Sequence, residues 1–350
     1  MKKDFWSKST IAVIGGGSWG TVLAKIAAVN CGDVRVWVRG EDQARAMNST
    51  RMNPSYVKDM VLPGNVHAYT DIERVFENGI QGVIWALPSK ACREQAKRFA
   101  PLFRGDEIVL HATKGIEEGT MKRVSTMLAE ELPVSRIGVI SGPNLAAEIA
   151  KDEPAATVVA SEFAEAVDAG VAWLTTPGFR VYAADDVIGI EWAGTLKNIY
   201  AIASGALEAL QFGWNTRSLL ITRGLAEMVR FGTAMGASEA TFLGLAGVGD
   251  LLATCSSPLS RNYRVGRKLA EGVPLDVILN ELGAVAEGVR TTQIISAFAA
   301  ERGIAMPITQ GVSELIRGDR PARDVLRALM QRAPAADIGA EVAEFDFRKK

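Results

Sequence analysis

Residues 10–20 read T-I-A-V-I-G-G-G-S-W-G. Thr10 to Ile14 is a short β-branched run of the kind that forms a buried strand. Gly15, Gly17 and Gly20 follow in G-x-G-x-x-G spacing, and Thr21 to Ala28 then has a helical pattern rich in Ala, Val and Leu. A glycine motif alone is weak evidence. Between a strand and a helix it sits in the context that a dinucleotide site requires. Gly15 permits the tight turn, Gly17 lets the backbone approach a pyrophosphate, and Gly20 lets the helix pack closely on the sheet. The unpaired N–H groups of the first helical turn supply the anion site.

The same alternation continues outward. Val34 to Val38, V-R-V-W-V, is the second strand. A dinucleotide site reads the ribose 2′ position at the end of this strand, with Asp or Glu selecting NAD. Here stand Arg39, Gly40 and Glu41. The guanidinium fork of Arg39 suits the 2′-phosphate of NADP, while Glu41 can swing toward a ribose hydroxyl. The pair points to NADP, or to use of both NADP and NAD. Further buried runs lie at 82–87, 107–111, 136–140, 155–160 and 179–182, separated by helical or loop segments. Continuous apolar strands in β-α alternation imply a doubly wound, Rossmann-like sheet. Lys114 follows the strand ending at His111, and Ser141-Gly142-Pro143-Asn144 follows the strand ending at Ile140. Both loops fall past strand C-termini, where open α/β sheets bind ligands. His111 reads as a core histidine rather than a catalyst.

At 350 residues the chain exceeds one hydrophobic core, so two domains are expected. A net charge of -1 argues against a general nucleic-acid surface. Three widely spaced cysteines and two histidines form neither a metal-ligand spacing nor a disulfide framework, so no metal is expected. The first residues do not read as a signal peptide, and no run of eighteen apolar residues suggests a membrane span, so a cytoplasmic protein is expected.

From Val187 onward strand signals nearly vanish, and helices are expected at 188–210, 216–235, 238–243, 261–270, 274–281, 286–301, 305–315 and 321–330. The division is therefore residues 1–187, an α/β dinucleotide domain; 188–340, an all-helical substrate domain; and 341–350, an exposed tail. Within the helical half, Glu191 to Asn198 reads E-W-A-G-T-L-K-N, which places Lys197 among apolar residues. Desolvation lowers a lysine pKa and allows proton transfer near neutral pH. Asp250 is a single carboxylate in an apolar, glycine-rich run, with Thr254 one turn on; such a carboxylate needs a partner, and a lysine is the natural one. Ser260, Arg261 and Asn262 at a helix start could clamp an anion. Arg223 and Glu227 stand at the spacing of a helical ion pair.

Seven segments together resemble the soluble bacterial-type NAD(P)-dependent glycerol-3-phosphate dehydrogenase family: the glycine turn, T-K-G at 113–115, S-G-P-N at 141–144, L-K-N at 196–198, I-T-R-G-L-A-E-M at 221–228, G-V-G-D-L at 247–251 and S-R-N at 260–262. The resemblance covers about residues 10 to 335. It implies reduction of dihydroxyacetone phosphate to sn-glycerol 3-phosphate for phospholipid synthesis, by a cytoplasmic homodimer. It also implies that Lys197 is catalytic, with Asp250 and Lys114 beside it. The substrate would meet Lys114, Gly142, Asn144, Asn198, Thr254, Ser260, Arg261 and Asn262. The cofactor would meet Ser18, Trp19, Arg39, Lys114, Ala146, Arg261, Val285 and Glu287. Two positions depart from the family pattern: Asn144, where many relatives carry Thr or Ser, and Arg217, where many carry Lys. Rival readings are a hydroxy-acid or sugar-acid dehydrogenase of the same plan and a non-catalytic dinucleotide-binding protein.

Overall fold

The computed structural model describes residues 6, 8–282 and 286–331, so the tail expected at 341–350 lies outside the described residues. In chain order the first half holds β1 (Thr10–Ile14), α1 (Ser18–Ala27), β2 (Asp33–Trp37), α2 (Glu41–Ser49), β3 (Met52–Asn53), β4 (Val57–Val61), β5 (Val66–Tyr69), α3 (Ile72–Phe76), β6 (Gly82–Trp85), α4 (Ser89–Phe99), β7 (Ile108–His111), α5 (Val124–Glu131), β8 (Ile137–Ser141), α6 (Ala146–Ile149), β9 (Ala155–Ser161), α7 (Ala164–Leu174) and β10 (Phe179–Ala184). Eight strands form one sheet in the order β10-β9-β8-β7-β6-β1-β2-β5, and β3 and β4 form a separate antiparallel pair. The inner strands β1, β6, β7 and β8 are buried almost throughout, as their continuous apolar runs require. Strand order reverses beside β1, between β2 and β6, so the glycine turn stands at the switch point of the sheet.

The sheet is mixed rather than wholly parallel, because β9 pairs antiparallel with β8 and β10 follows β9 in parallel. The connection from β8 to β9 carries only the four-residue helix α6. A helix of that length cannot carry the chain back along the sheet for a parallel crossover.

The second half holds α8 (Val187–Ala209), α9 (Trp214–Ala234), a 3-10 turn (Glu239–Leu243), a π-helical turn (Leu245–Gly249), α10 (Asp250–Ser256), α11 (Arg261–Ala270), α12 (Leu275–Leu282), α13 (Glu287–Arg302), α14 (Pro307–Arg317) and α15 (Ala322–Met330). Among the described residues of this half there is no strand, and no described helix is long and apolar enough to cross a membrane. Helix α8 runs through the middle and is buried over nearly its whole length. Asp186 starts it, accepting from the Gly189 backbone N–H at 2.8 Å. Helix α11 crosses α8 with backbones almost touching: a Cβ on Gly205 would lie 1.9 Å from the Tyr263 carbonyl oxygen, and one on Gly266 would lie 1.7 Å from that of Ile202. Only glycine permits that approach. It sets the helix carrying Ser260-Arg261-Asn262 firmly against the helix carrying Lys197.

Candidate active site

The turn after β1 has the shape a dinucleotide needs. Gly15 has φ +117°, and a Cβ there would lie 2.7 Å from the Ala86 carbonyl oxygen. A Cβ on Gly20 would overlap the Gly15 oxygen at 1.9 Å, so the helix lies directly on the turn. A Cβ on Gly17 would meet nothing within 4 Å, and no side chain caps the start of α1. The space and the free N–H groups therefore fit a pyrophosphate. Two residues not singled out in the sequence brace the turn. Gln43 Nε2 donates to the Gly16 carbonyl at 2.5 Å, and Asn53 Nδ2 donates to the same oxygen at 3.0 Å.

The other residues expected to meet the cofactor are spread over several elements. Ser18 and Trp19 open α1, with Trp19 tilted against Phe179. Arg39 is exposed just past β2. Ala146 opens α6 and packs on the core below it. Glu287 opens α13 and crosses the seam to Ser89, accepting from its N–H at 3.1 Å and its hydroxyl at 2.7 Å. Burial raises the Glu287 pKa, and the Ser89 bonds oppose the shift. Arg261 is exposed at the first turn of α11. Val285 lies outside the described residues.

Lys197, Asp250, Thr254 and Lys114 converge at one point. Asp250 is 1% exposed and begins α10 after the π-helical turn. Its Oδ1 accepts from Lys197 Nζ, and its Oδ2 accepts from Lys114 Nζ at 2.5 Å. Lys197 Nζ also donates to Thr254 Oγ1 at 2.5 Å, and Lys114 Nζ reaches the Gly142 carbonyl at 3.3 Å. One carboxylate thus joins an ammonium from the sheet domain to one from α8. Burial pulls the Lys197 ammonium down to about 7, with Asp250 opposing that shift and Lys114 adding to it. Burial outweighs the opposing pull of the Asp250 carboxylate. A buried lysine poised near neutrality, backed by a carboxylate and a hydroxyl, is suited to exchange a proton with a bound oxygen.

The other expected substrate side chains already make hydrogen bonds within the protein. The Ser260 hydroxyl caps α11, accepting from the Tyr263 N–H at 3.3 Å. Asn262 Nδ2 donates to Asn198 Oδ1 at 2.9 Å, and Asn262 Oδ1 accepts from the Gly288 N–H at 3.1 Å. Asn144 ties the β8–β9 connection to β9, donating to the Ala156 carbonyl at 2.9 Å and accepting from the Thr157 hydroxyl at 2.8 Å. Arg217 lies over the Trp214 ring at 5.7 Å and donates to the Phe212 carbonyl.

Two buried carboxylates on the flanks have partners that sequence reading did not supply. Glu191, early in α8, accepts from the Ser125 N–H at 2.9 Å, the Ser125 hydroxyl at 2.5 Å and Arg123 Nη1 at 2.5 Å. His111 is fully buried; its Nε2 lies 3.1 Å from Glu191 Oε1 but outside hydrogen-bond geometry. Burial pushes the Glu191 carboxyl up, yet His111, Arg123 and Ser125 outweigh it and hold it at about 2. Glu227 gives its carboxylate to the start of α14, accepting from the Ile308 N–H at 2.6 Å and the Thr309 N–H at 3.2 Å, and from the Tyr200 hydroxyl. Burial raises its pKa to about 7. Glu191 lies 66 and 68 positions from Ser125 and Arg123, and Glu227 lies 81 and 82 from Ile308 and Thr309, so neither pairing leaves a local pattern; only a polar residue type within an apolar run could draw attention to Glu191.

Comparison with known proteins bears on the activity of this arrangement. The family model for the NAD-dependent glycerol-3-phosphate dehydrogenase N-terminus matches residues 10–167, and that for the C-terminus matches residues 186–327. A glycerol-3-phosphate dehydrogenase (NAD(P)+) of Pseudomonas paraeruginosa is 46% identical over 328 residues, spanning 94% of this chain and 96% of its own length. One from Pseudomonas fluorescens is 47% identical over 329 residues, spanning 94% of this chain and 92% of its own. The crystal structure of glycerol-3-phosphate dehydrogenase from Coxiella burnetii superposes with a TM-score of 0.87 at 36% identity, covering 93% of this chain and 99% of that one. Both halves of the chain match in one order and almost end to end, and the chain belongs to the NAD-dependent glycerol-3-phosphate dehydrogenase family.

Proposed function

We propose that the chain, as an NAD(P)-dependent glycerol-3-phosphate dehydrogenase, reduces dihydroxyacetone phosphate to sn-glycerol 3-phosphate with Lys197 as the proton donor. The observation that carries this reading is the buried contact of Lys197 with Asp250 and Thr254, with Lys114 on the other carboxylate oxygen. A nicotinamide cofactor, when bound, would supply the hydride. As the carbonyl carbon is reduced, negative charge grows on its oxygen. The Lys197 ammonium stabilises that oxygen and gives it the proton. In the oxidative direction neutral Lys197 takes the proton from the hydroxyl. Asp250 and Thr254 hold the lysine in place through both states. Arg261, exposed at the start of α11, is assigned to the substrate phosphate together with that helix N-terminus. Ser260 and Asn262 then act by holding the helix start.

On the cofactor side, the glycine turn takes the pyrophosphate and Arg39 takes the 2′-phosphate, so NADPH is the preferred cofactor and NADH the slower one. The enzyme is assigned to the cytoplasm as a homodimer. An apolar groove of about 580 Å³ lies between α9, α14 and α15, with Leu219, Leu326 and Leu329 among its lining residues.

The test follows nicotinamide absorbance after adding dihydroxyacetone phosphate to the protein with NADPH and, separately, with NADH. Fast loss with NADPH and slower loss with NADH is expected. Equal rates would remove the role given to Arg39. No loss with either cofactor, in protein that binds both, would overturn the substrate assignment.

A further inference from the structure

We infer that Thr70 is a cofactor-specificity residue that acts by holding Glu41 away from the ribose 2′ position. The inference rests on the assignment of Arg39 to the 2′-phosphate made above. Two side chains of opposite preference stand past the end of β2: Arg39 suits a phosphate, whereas Glu41, two residues on, suits the free hydroxyl of NAD. Among the described residues no ion pair engages Arg39, and its side chain is exposed. Glu41 is not free in the same way. Its Oε1 accepts from the Thr70 hydroxyl at 2.5 Å.

Thr70 is a fixed donor. It directly follows β5, the edge strand paired in parallel with β2. Its carbonyl accepts from Trp37 Nε1 at 3.0 Å, and the carbonyl of Tyr69 before it accepts from the Val38 N–H at 2.9 Å. The end of β2 and the end of β5 are thus stitched together, and Thr70 draws the Glu41 carboxylate toward β5. An unrestrained Glu41 would put a negative charge near the site of a 2′-phosphate dianion and offer an acceptor to a 2′-hydroxyl. Both effects favour NADH over NADPH. With the carboxylate restrained, Arg39 sets the preference.

The experiment measures the dissociation constants of NADPH and NADH without substrate, from the change in nicotinamide fluorescence on binding. It compares the wild-type chain with Thr70→Val, Thr70→Ser, Glu41→Gln, the Thr70→Val/Glu41→Gln double variant and Arg39→Ala. The Glu41–Thr70 bond is solvent-exposed, so the ratio of NADH to NADPH dissociation constants should fall by about three- to tenfold in Thr70→Val. It should hold in Thr70→Ser, which keeps the donor, and the double variant should match Glu41→Gln alone. An unmoved ratio in Thr70→Val, or a shift that survives in the double variant, overturns the inference. If Arg39→Ala leaves NADPH binding unchanged, the earlier assignment of Arg39 has failed. If Arg39→Ala weakens NADPH while Thr70→Val does nothing, only the role of Thr70 has failed.

Discussion

The glycine turn after β1 and helix α8 lie on either side of the domain seam and prepare for charge in opposite ways. The turn is made of backbone. A Cβ at Gly17 would meet nothing within 4 Å, and no side chain caps the peptide N–H groups at the helix start. Helix α8 is made of side chains already paired: Glu191 with Arg123 and Ser125, Lys197 with Asp250 and Thr254, Tyr200 with Glu227. The first region offers open backbone. The second is a set of paired side chains, and burial has already shifted the proton affinities of Lys197 and Glu227. Binding and reaction should therefore separate cleanly when each region is altered.

The largest effect is expected from Lys197→Ala. Turnover should drop by about a thousandfold or more, the combined weight of a proton donor and an oxyanion partner. NADPH affinity, which belongs to the other region, should stay within about twofold. The same residue predicts the pH dependence. Because the lysine is held at about 7 in the free enzyme, kcat/KM for reduction should fall as pH rises through that value, and kcat/KM for oxidation should rise. Near-normal turnover in the variant, or a flat profile in both directions, would return Lys197 to a structural role.

Next come two glycine substitutions that divide the turn itself. Gly20→Ala forces a Cβ into the Gly15 carbonyl, and should lower unfolding stability by about 2 kcal/mol or more while weakening cofactor binding. Gly17→Ala adds a methyl group to open space. It should leave the melting temperature nearly unchanged, yet raise the NADPH dissociation constant by about tenfold as the backbone is held off the pyrophosphate. Calorimetry and a binding titration on each variant check this. Equal loss of stability in both would mean that Gly17 serves packing rather than the ligand.

The smallest effect concerns the far side of α8. Glu227 has a folded pKa raised to about 7 from an ordinary value of 4.5. The folded state therefore binds more protons than the unfolded state between these values, and stability is lost as pH rises through the window. Between about pH 5 and pH 8 the loss is on the order of 2 kcal/mol. Lys197, with its lowered pKa, contributes in the opposite sense over the upper part of the range. Comparing wild type with Glu227→Gln cancels that contribution, so the variant should lose less stability than wild type from pH 5 to pH 8 in denaturant titrations. Parallel curves would show that Glu227 stays ionised in the folded protein.

The two regions also differ in how much of them could be read in advance. The glycine turn is legible because each part of its function lies in a run of eleven residues, residues 10–20. The helices of the second half are legible for the same reason, and seven of the eight expected segments fall on α-helices. Lys197 drew attention by its apolar setting, and Asp250 by its need for a cation. That Lys114 would take the second oxygen of the same carboxylate was not readable, since 136 positions separate them and nothing local announces the contact. The reversed direction of β9 and β10 was equally hidden. It depends on the reach of the β8–β9 connection, whereas the strands themselves have the same composition in either direction. Glu41 illustrates a finer limit: its residue type suggested a hydroxyl reader, and only the position of Thr70 shows where its carboxylate is held.

Asp250 has a consequence for how such a chain can change over generations. Its two lysines come from different halves of the sequence, one from each domain. Neither half is then an exchangeable module. A recombinant that joined this nucleotide domain to a foreign helical domain would inherit a lysine without its carboxylate, or a buried carboxylate with one cation missing. Crossovers at the domain boundary should be tolerated between parents that both keep the triad, and rejected where either has drifted from it.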